Sequence, residues 1–469
     1  MLNDRCNPGT KWKKSTGVIT ILMAVALPAL LAIVGLAIDS ARAYGVKANL
    51  SAAVDAASLA AARAVSNGEA AATRAANKFF AANFPAGYFG STPGQPSVSF
   101  SYTAEGHISI NVSATANMPT TFLRIVGMDE MDISSIAQTI RRPVDLSFVV
   151  DNTTSLTAAA GVDVTQDVID RSKDFVGYFG EFFDRIALVK YALGAEVPVG
   201  FNSARGFSKI TVERAIDAFE FGSSSSPHFT NASEGMWRAI DAITTANEPA
   251  SLRVIVFFTD GAPNTFASSF SFNGGVPDRV GAIRSTGASS GTPYGLWEAD
   301  KVAKPIASPW EYRDNRGTSL ADALAGFPRY YNAHDPDASD FLVINPSHPR
   351  RPVPDYNRSR DSARDLYKKI NRISRNLPED MAEYARQNGI FVLTLGLGSN
   401  LTQPTGPDDE RGEEMLMRMA NDPRMAEIPS LASDFRPDEP QGIYCHAVDK
   451  DALAPCFADM LAVIIRLTI

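Results

Sequence analysis

Asp151, Thr153 and Ser155 occupy every second residue directly after the apolar run Leu146 to Val150. An acid and two hydroxyls offered where a buried strand ends suit a hard divalent cation, so the spacing predicts binding ahead of catalysis. Helix capping asks for the same residue types, because Asp, Asn, Thr and Ser bond the free backbone groups of strand-to-helix turns. What adds to the first pattern is a second apolar run, Arg253 to Thr259, ending in Asp260-Gly261 and reading as a strand buried on both faces of a parallel sheet. Between the two lies Phe229-Thr230-Asn231-Ala232-Ser233-Glu234, where a Thr opens a helical stretch. Three such loops can converge at one edge of a doubly wound sheet, which is where that architecture places ligands.

The elements that must carry these loops alternate. Strands are expected at Asp145–Asp151, Arg185–Tyr191, near Glu196–Phe201, at Arg253–Thr259 and within Gly389–Gly398. Helices are expected at Gln166–Phe183, Ile210–Phe219, Ala232–Ala246, Met381–Asn388 and Asp451–Arg466. Alternation of this kind means a parallel sheet with helices on both faces, an α/β fold. A stretch from Phe266 to about Asn376 interrupts it without a strong period. Its aromatics, among them Trp297, Trp310, Tyr312, Phe327, Tyr330 and Tyr331, argue for an ordered insertion rather than a linker. Leaving directly after Asp260, it is expected near the same edge, either shaping a partner surface or as a passive elaboration. The acidic run Gly406 to Arg411 reads as a solvated loop.

These residues resemble the von Willebrand factor A domain and its metal-ion-dependent adhesion site, Asp-x-Ser-x-Ser on one loop, Thr on a second and Asp-Gly on a third. The resemblance implies that Asp151, Thr153 and Ser155 are ligands from the first loop, Thr230 from the second and Asp260 from the third. Thr153 stands where the family usually has Ser; the hydroxyl is kept and a methyl is added. The implied ion is Mg2+, with Mn2+ as a substitute, since Mg2+ prefers oxygen ligands, keeps several waters and needs few carboxylates. A Glu or Asp oxygen from a protein partner would complete its shell.

The amino end carries the second strong feature. From Gly17 to Ile38 no residue is charged, and about 20 apolar residues at about 1.5 Å each cross a bilayer core. Residues 1–16 form a tail in which Lys11, Lys13 and Lys14 precede the span, which predicts a cytoplasmic amino terminus and a body on the far side. The expected location is the inner membrane, single-pass, with the body in the periplasm or at the cell surface. A cleaved signal peptide is the rival reading, kept open by Ala41 and Ala43 around Arg42. Residues 39–83 are rich in Ala and predict one long helix continuing outward as a rod. After turn-rich Phe84 to Ser97, residues 97–142 predict a small β region: strands Ser97–Tyr102, His107–Ser113 and Met131–Arg141, with a short helix at Phe122–Val126. Residues 143–469 hold the alternating domain.

A basic tail, one apolar helix ending in Ala37-Ile38-Asp39 and an Ala-rich continuation with Asp55-Ala56-Ala57 resemble TadE/TadG-like proteins of the tight-adherence (Flp) pilus system. TadG-like members add a von Willebrand A domain. The resemblance implies a pilus-assembly or adhesion component whose partners are other pilus or envelope proteins or a surface ligand.

Composition is compatible with this. A chain of 469 residues, 45% hydrophobic, can bury a sizeable core, and a net charge of -8 gives no reason to expect nucleic acid. Cys445 and Cys456 can pair in an oxidising compartment if their α-carbons approach within about 7 Å; Cys6 would stay apart on the other side. No nucleophile elbow, phosphate-cradling loop or paired His accompanies Asp151 and Asp260, so no enzyme is expected, with a metal-dependent hydrolase as the remote exception. The competing expectation is a metal-free structural scaffold of the pilus or of an envelope complex.

Overall fold

An uncharged helix bordered by an Ala-rich one has little to stop it until a residue breaks the backbone. The computed structural model of the protein describes residues 18–103, 106–157, 162–223, 228–275, 277–285, 294–306, 323–357 and 359–468. The basic tail, Trp310 and Tyr312 lie outside the described residues. The chain divides into two compact units: one runs to Ser101 and resumes over Ser109–Ile140, the other takes Tyr102–Ile108 and Arg141–Ile469.

In the first unit α1 (Val18–Ala64) runs unbroken through Pro28. Its first part meets the length and composition of a membrane span, with a mean hydropathy of 2.8 over the most apolar window. Beyond Asp39 the buried positions Val46, Leu50, Ala53, Val54, Ala57 and Ala61 recur at helical spacing, so one stripe of the helix faces a core. The expected single rod over 39–83 is corrected here. The helix ends near Gly68, whose φ of +93 suits glycine, and α2 (Glu69–Asn83) packs against α1. Small Ala72 and Ala76 allow the two helices to approach closely, and Phe80 fills the remaining space.

A four-stranded sheet completes this unit: β1 (Thr92–Pro93), β2 (Ser97–Tyr102), β3 (Ile108–Pro119) and β4 (Glu130–Arg141). Side chains pair Asn117 with Asp132 and Ser109 with Gln138, so β3 and β4 run antiparallel. Ser135 and Thr139, on one face of β4, meet Ser51 and Ser58 of α1 through hydroxyl hydrogen bonds of 3.0 and 2.9 Å.

The second unit is built on β5 (Val144–Asp151), α3 (Thr165–Gly177), β6 (Arg185–Tyr191), β7 (Ala195–Val199), α4 (Lys209–Asp217), α5 (Ala232–Thr244) and β8 (Leu252–Thr259). After β8 come β9 (Thr265–Phe272), β10 (Arg279–Arg284), β11 (Tyr294–Trp297), β12 (Leu324–Gly326) and α6 (Ala363–Gln387). The chain then forms β13 (Phe391–Leu397), the short pair β14 (Pro404–Thr405) and β15 (Glu410–Arg411), α7 (Gly412–Ala420), β16 (Tyr444–Ala447) and α8 (Leu453–Thr468). Six strands make the central sheet in the order β16-β13-β8-β5-β6-β7, parallel except for β7, which lies antiparallel on β6. Alternation along β5 and β8 splits their side chains between two cores: Val149, Ile255 and Phe257 face α5 and α6, whereas Phe148, Val150, Val256 and Phe258 face α3 and α8. The chain leaves β5 toward β6 on one side, then returns through β8 toward β13 and β16 on the other. Loops at the carboxyl ends of β5 and β8 therefore part at a switch point and leave a crevice.

The described part of the insertion forms strands and joins the core. Strands β9 to β12 form a second sheet in the order β11-β10-β9-β12, and Phe266, Phe270, Ile283 and Tyr331 join the core shared with α5 and α6. No alternation announced β9, because Thr265 to Ser268 are all buried and Ser and Ala separate its phenylalanines. The expected Met381–Asn388 helix starts earlier, at Ala363, where a Ser362–Asp365 capping box opens it; Pro378 lies inside without ending it. In the 406–411 run Asp408, Asp409 and Arg411 are exposed, as a solvated loop requires, whereas half-buried Glu410 turns inward to pair with Arg351, Arg375 and Arg418. Cys445 and Cys456 are disulfide-bonded, with α-carbons 5.6 Å apart.

Candidate metal centre

Register decides which side chains meet at the crevice. Asp151 of β5 sits opposite Tyr191 of β6, and Thr259 ends the neighbouring β8. Asp151 is fully buried, and its carboxylate is held from three directions. Its Oδ1 accepts the Thr153 backbone N–H at 2.8 Å; its Oδ2 accepts the Thr259 hydroxyl at 2.6 Å and the Tyr191 hydroxyl at 3.2 Å. Such bonding fixes the rotamer of a group that the apolar strand alone would leave free.

Asp260, equally buried, comes from the turn after β8. Its Oδ1 accepts the Ser155 hydroxyl at 2.6 Å and, more distantly, the Thr153 hydroxyl at 3.4 Å, and those two hydroxyls lie 2.9 Å apart. The other oxygen, Oδ2, is buried without a hydrogen-bond partner. Removal from water is the main force that pushes the Asp260 carboxyl up to about 8, and the negative charge of Asp151 adds to it. Burial likewise raises Asp151, against the pull of its hydroxyl and amide donors. Two acids that resist sharing negative charge form a place where a cation lowers the energy.

Thr230 approaches from the second loop. It precedes Asn231, which is the residue that caps α5, so Thr230 stands just outside the helix it was expected to open. Its carbonyl accepts N–H bonds from Asn264 and Thr265 at 3.1 and 3.2 Å, which ties it to the segment after Asp260. A β-carbon placed on Gly261 would lie 3.8 Å from its hydroxyl oxygen. The first and second loops are joined by Thr154 and His228: the His228 N–H donates to the Thr154 hydroxyl at 2.7 Å, and the Thr154 N–H donates to the His228 carbonyl at 3.1 Å. The imidazole Nδ1 lies 3.1 Å from the Asn152 carbonyl oxygen, so His228 is a loop tie and not a ligand. The five residues singled out from sequence thus lie on three loops bonded to one another.

Tyr191, Thr259, Thr154 and His228 belong to the site and carry no motif. For Tyr191 and Thr259 a signal did exist, since each is the last residue of a buried strand. Among the described residues no three His, Cys, Asp or Glu side chains cluster as a metal site of their own.

Comparison with known proteins finds two matched segments of the chain. Residues 17–64 match the Tad family model, Flp pilus-assembly TadE/G-like, and residues 145–287 match the von Willebrand factor type A domain. A TadE/G-like segment is thus joined to a von Willebrand A domain, in an α/β fold with an amino-terminal apolar helix. No curated protein matches the chain. Solved structures resemble it loosely. PilB minor pilin from Streptococcus sanguinis is 14% identical with a TM-score of 0.38, covering 81% of this chain and 80% of that one. The tip pilin GBS104 from Group B Streptococcus agalactiae is 10% identical with a TM-score of 0.37, covering 69% of this chain and 100% of that one. Proximal thread matrix protein 1 from the mussel byssus, with a zinc-occupied MIDAS motif, is 13% identical with a TM-score of 0.34. That match covers 69% of this chain, which spans only 46% of the mussel protein.

Proposed function

We propose that this chain is a membrane-anchored pilus-assembly or adhesion protein of the bacterial envelope that binds a protein partner through one Mg2+ ion. The two family matches support the coarser statement, a pilus-associated adhesion protein. What carries the finer one is Asp260: a buried carboxylate oxygen without a partner, beside the hydroxyls of Thr153 and Ser155 and in the field of Asp151. The donor set fits the ion, because Mg2+ takes hard oxygens, tolerates few carboxylates and keeps waters. Asp151, Thr153, Ser155, Thr230 and Asp260 would hold it, and Mn2+ would substitute. Bound there, the cation supplies a positive centre that accepts an acidic oxygen from the partner. The protein's own part is orientation: Tyr191 and Thr259 hold Asp151, and the His228 tie keeps the second loop on the first.

Partners are other pilus or envelope components or a surface ligand, and no nucleic acid is proposed. The apolar helix supports an inner-membrane, single-pass location with the body in the periplasm or at the cell surface. Binding rather than catalysis is the reading because, among the described residues, the side-chain and backbone partners of Asp151 and Asp260 are hydroxyls and backbone amide.

Calorimetric titration of the full chain in detergent with Mg2+ tests this. One bound ion is expected for the native chain, and Asp260→Ala should weaken it at least tenfold, about 1.4 kcal/mol. A silent native titration would instead support the metal-free scaffold, a reading favoured by the hydroxyls already bonded to Asp260.

A further inference from the structure

The turn between β3 and β4 is where the first unit does something unexpected. It runs through Thr120-Thr121-Phe122-Leu123-Arg124-Ile125, and its residues lie along the apolar part of α1 rather than beyond it. A β-carbon built on Gly35 would sit 2.3 Å from Phe122 Cβ, so the absence of a side chain at Gly35 is what lets the turn lie against the helix. Gly35 is four residues before Asp39, about 6 Å deeper along the helix. Between turn and helix runs an apolar groove of about 390 Å³, lined by Leu27, Leu31, Leu36, Phe122, Leu123 and Ile125. Ile125 is 77% exposed and Met128 50% exposed, so the tip presents large apolar side chains outward.

We infer that this turn is buried in the lipid leaflet on the Asp39 side of the membrane, a second contact with acyl chains beside the spanning helix. The inference rests on the membrane-anchor reading of α1. Continuity is the first reason: the turn flanks helix residues that belong to the uncharged span. Backbone chemistry is the second, because a turn that dips into the headgroup and acyl boundary must bond its N–H groups within the protein. Here they are bonded. The Asp39 carboxylate accepts the N–H groups of Thr121, Phe122 and Leu123 at 2.8 to 3.1 Å. Thr120, Ile125, Gly127 and Met128 donate to carbonyls of the same turn or its flank at 3.0 to 3.2 Å. Arg124, long and exposed, can reach the headgroups from a shallow position.

The test uses the full chain with Cys6→Ser, reconstituted in phosphatidylethanolamine and phosphatidylglycerol vesicles, with an environment-sensitive fluorophore on one introduced cysteine. Ile125→Cys is compared with Leu31→Cys in the span and Leu59→Cys further along the same helix. Nitroxide-bearing lipids should quench the Ile125 label to within twofold of the Leu31 label, while aqueous iodide quenches mainly the Leu59 label. An Ile125 label quenched by iodide like Leu59 overturns the inference. So does one shielded from both quenchers, which would mean that a second copy or another protein covers the turn. If lipid quencher misses the Leu31 label, the anchor itself fails, and the turn with it; quenching at Leu31 but not at Ile125 rejects the turn alone.

Discussion

Asp260 shows how much a single carboxylate depends on what surrounds it. Its proton is retained up to about pH 8 without a cation, whereas its ordinary value is 3.8. A carboxyl raised on folding binds more protons in the native than in the unfolded state across that window, so metal-free stability from this group falls as pH rises from about 4 to about 8. Thermal unfolding in EDTA should therefore move to lower temperature between pH 5 and pH 8, less steeply in Asp260→Asn. Mg2+ should restore several degrees at pH 8 and little at pH 5, where the ion must displace a proton. An Asp260→Asn profile parallel to the native one would show that another group governs the slope. The position of Asp151, Thr153, Ser155 and Asp260 at one crevice could be read from sequence because strand ends and their following turns are local, while their holding a metal remains the proposal tested above. For Tyr191 and Thr259 the sequence marked only their place at strand ends, since their bonds to Asp151 form only when β6 and β8 flank β5.

The insertion is held down by an element-scale device, a buried ion network. Arg351 of the insertion bonds Glu379 of α6 and Glu410 of β15, and Arg418 of α7 bonds the same two acids. Burial alone would raise Glu379, but Arg351, Arg418 and Arg350 hold it well below the usual carboxylate range. Removing Glu379 leaves buried Arg351 and Arg418 to share Glu410 alone, and breaking one side of a buried ion pair costs about 3–5 kcal/mol. Glu379→Gln is accordingly expected to lower stability by about that amount in urea unfolding followed by near-ultraviolet circular dichroism. A loss below about 1 kcal/mol would mean that water screens the network. Sequence could not announce this device, because its members are spread from residue 350 to residue 434 and each resembles an ordinary surface charge. The helix α6 was half legible: its capping box is local, but Pro378 argued for a break that packing overrides.

For the whole molecule, the span from Val18 to Ile38 carries the argument for the proposed anchor, with Ile19, Leu22, Val25 and Ile33 all more than half exposed. Exposed apolar surface of that extent marks an interaction site, and the proposed anchor assigns it to a bilayer. The full chain in vesicles should stay with the lipid after alkaline carbonate extraction, and release into the aqueous fraction would reject the anchor. What the sequence determined by itself was the kind of donors at the crevice, the alternation that makes the parallel sheet, and the apolar span, because each depends on neighbours within a few residues of one another. Only the tertiary structure decided that the Ala-rich helix folds back at Gly68, that the insertion shares a core with α5 and α6, and that Asp39 ties down a turn some eighty residues away. Those outcomes depend on which buried surfaces meet, and chain order does not encode distances between remote segments; packing and unpaired backbone groups set them.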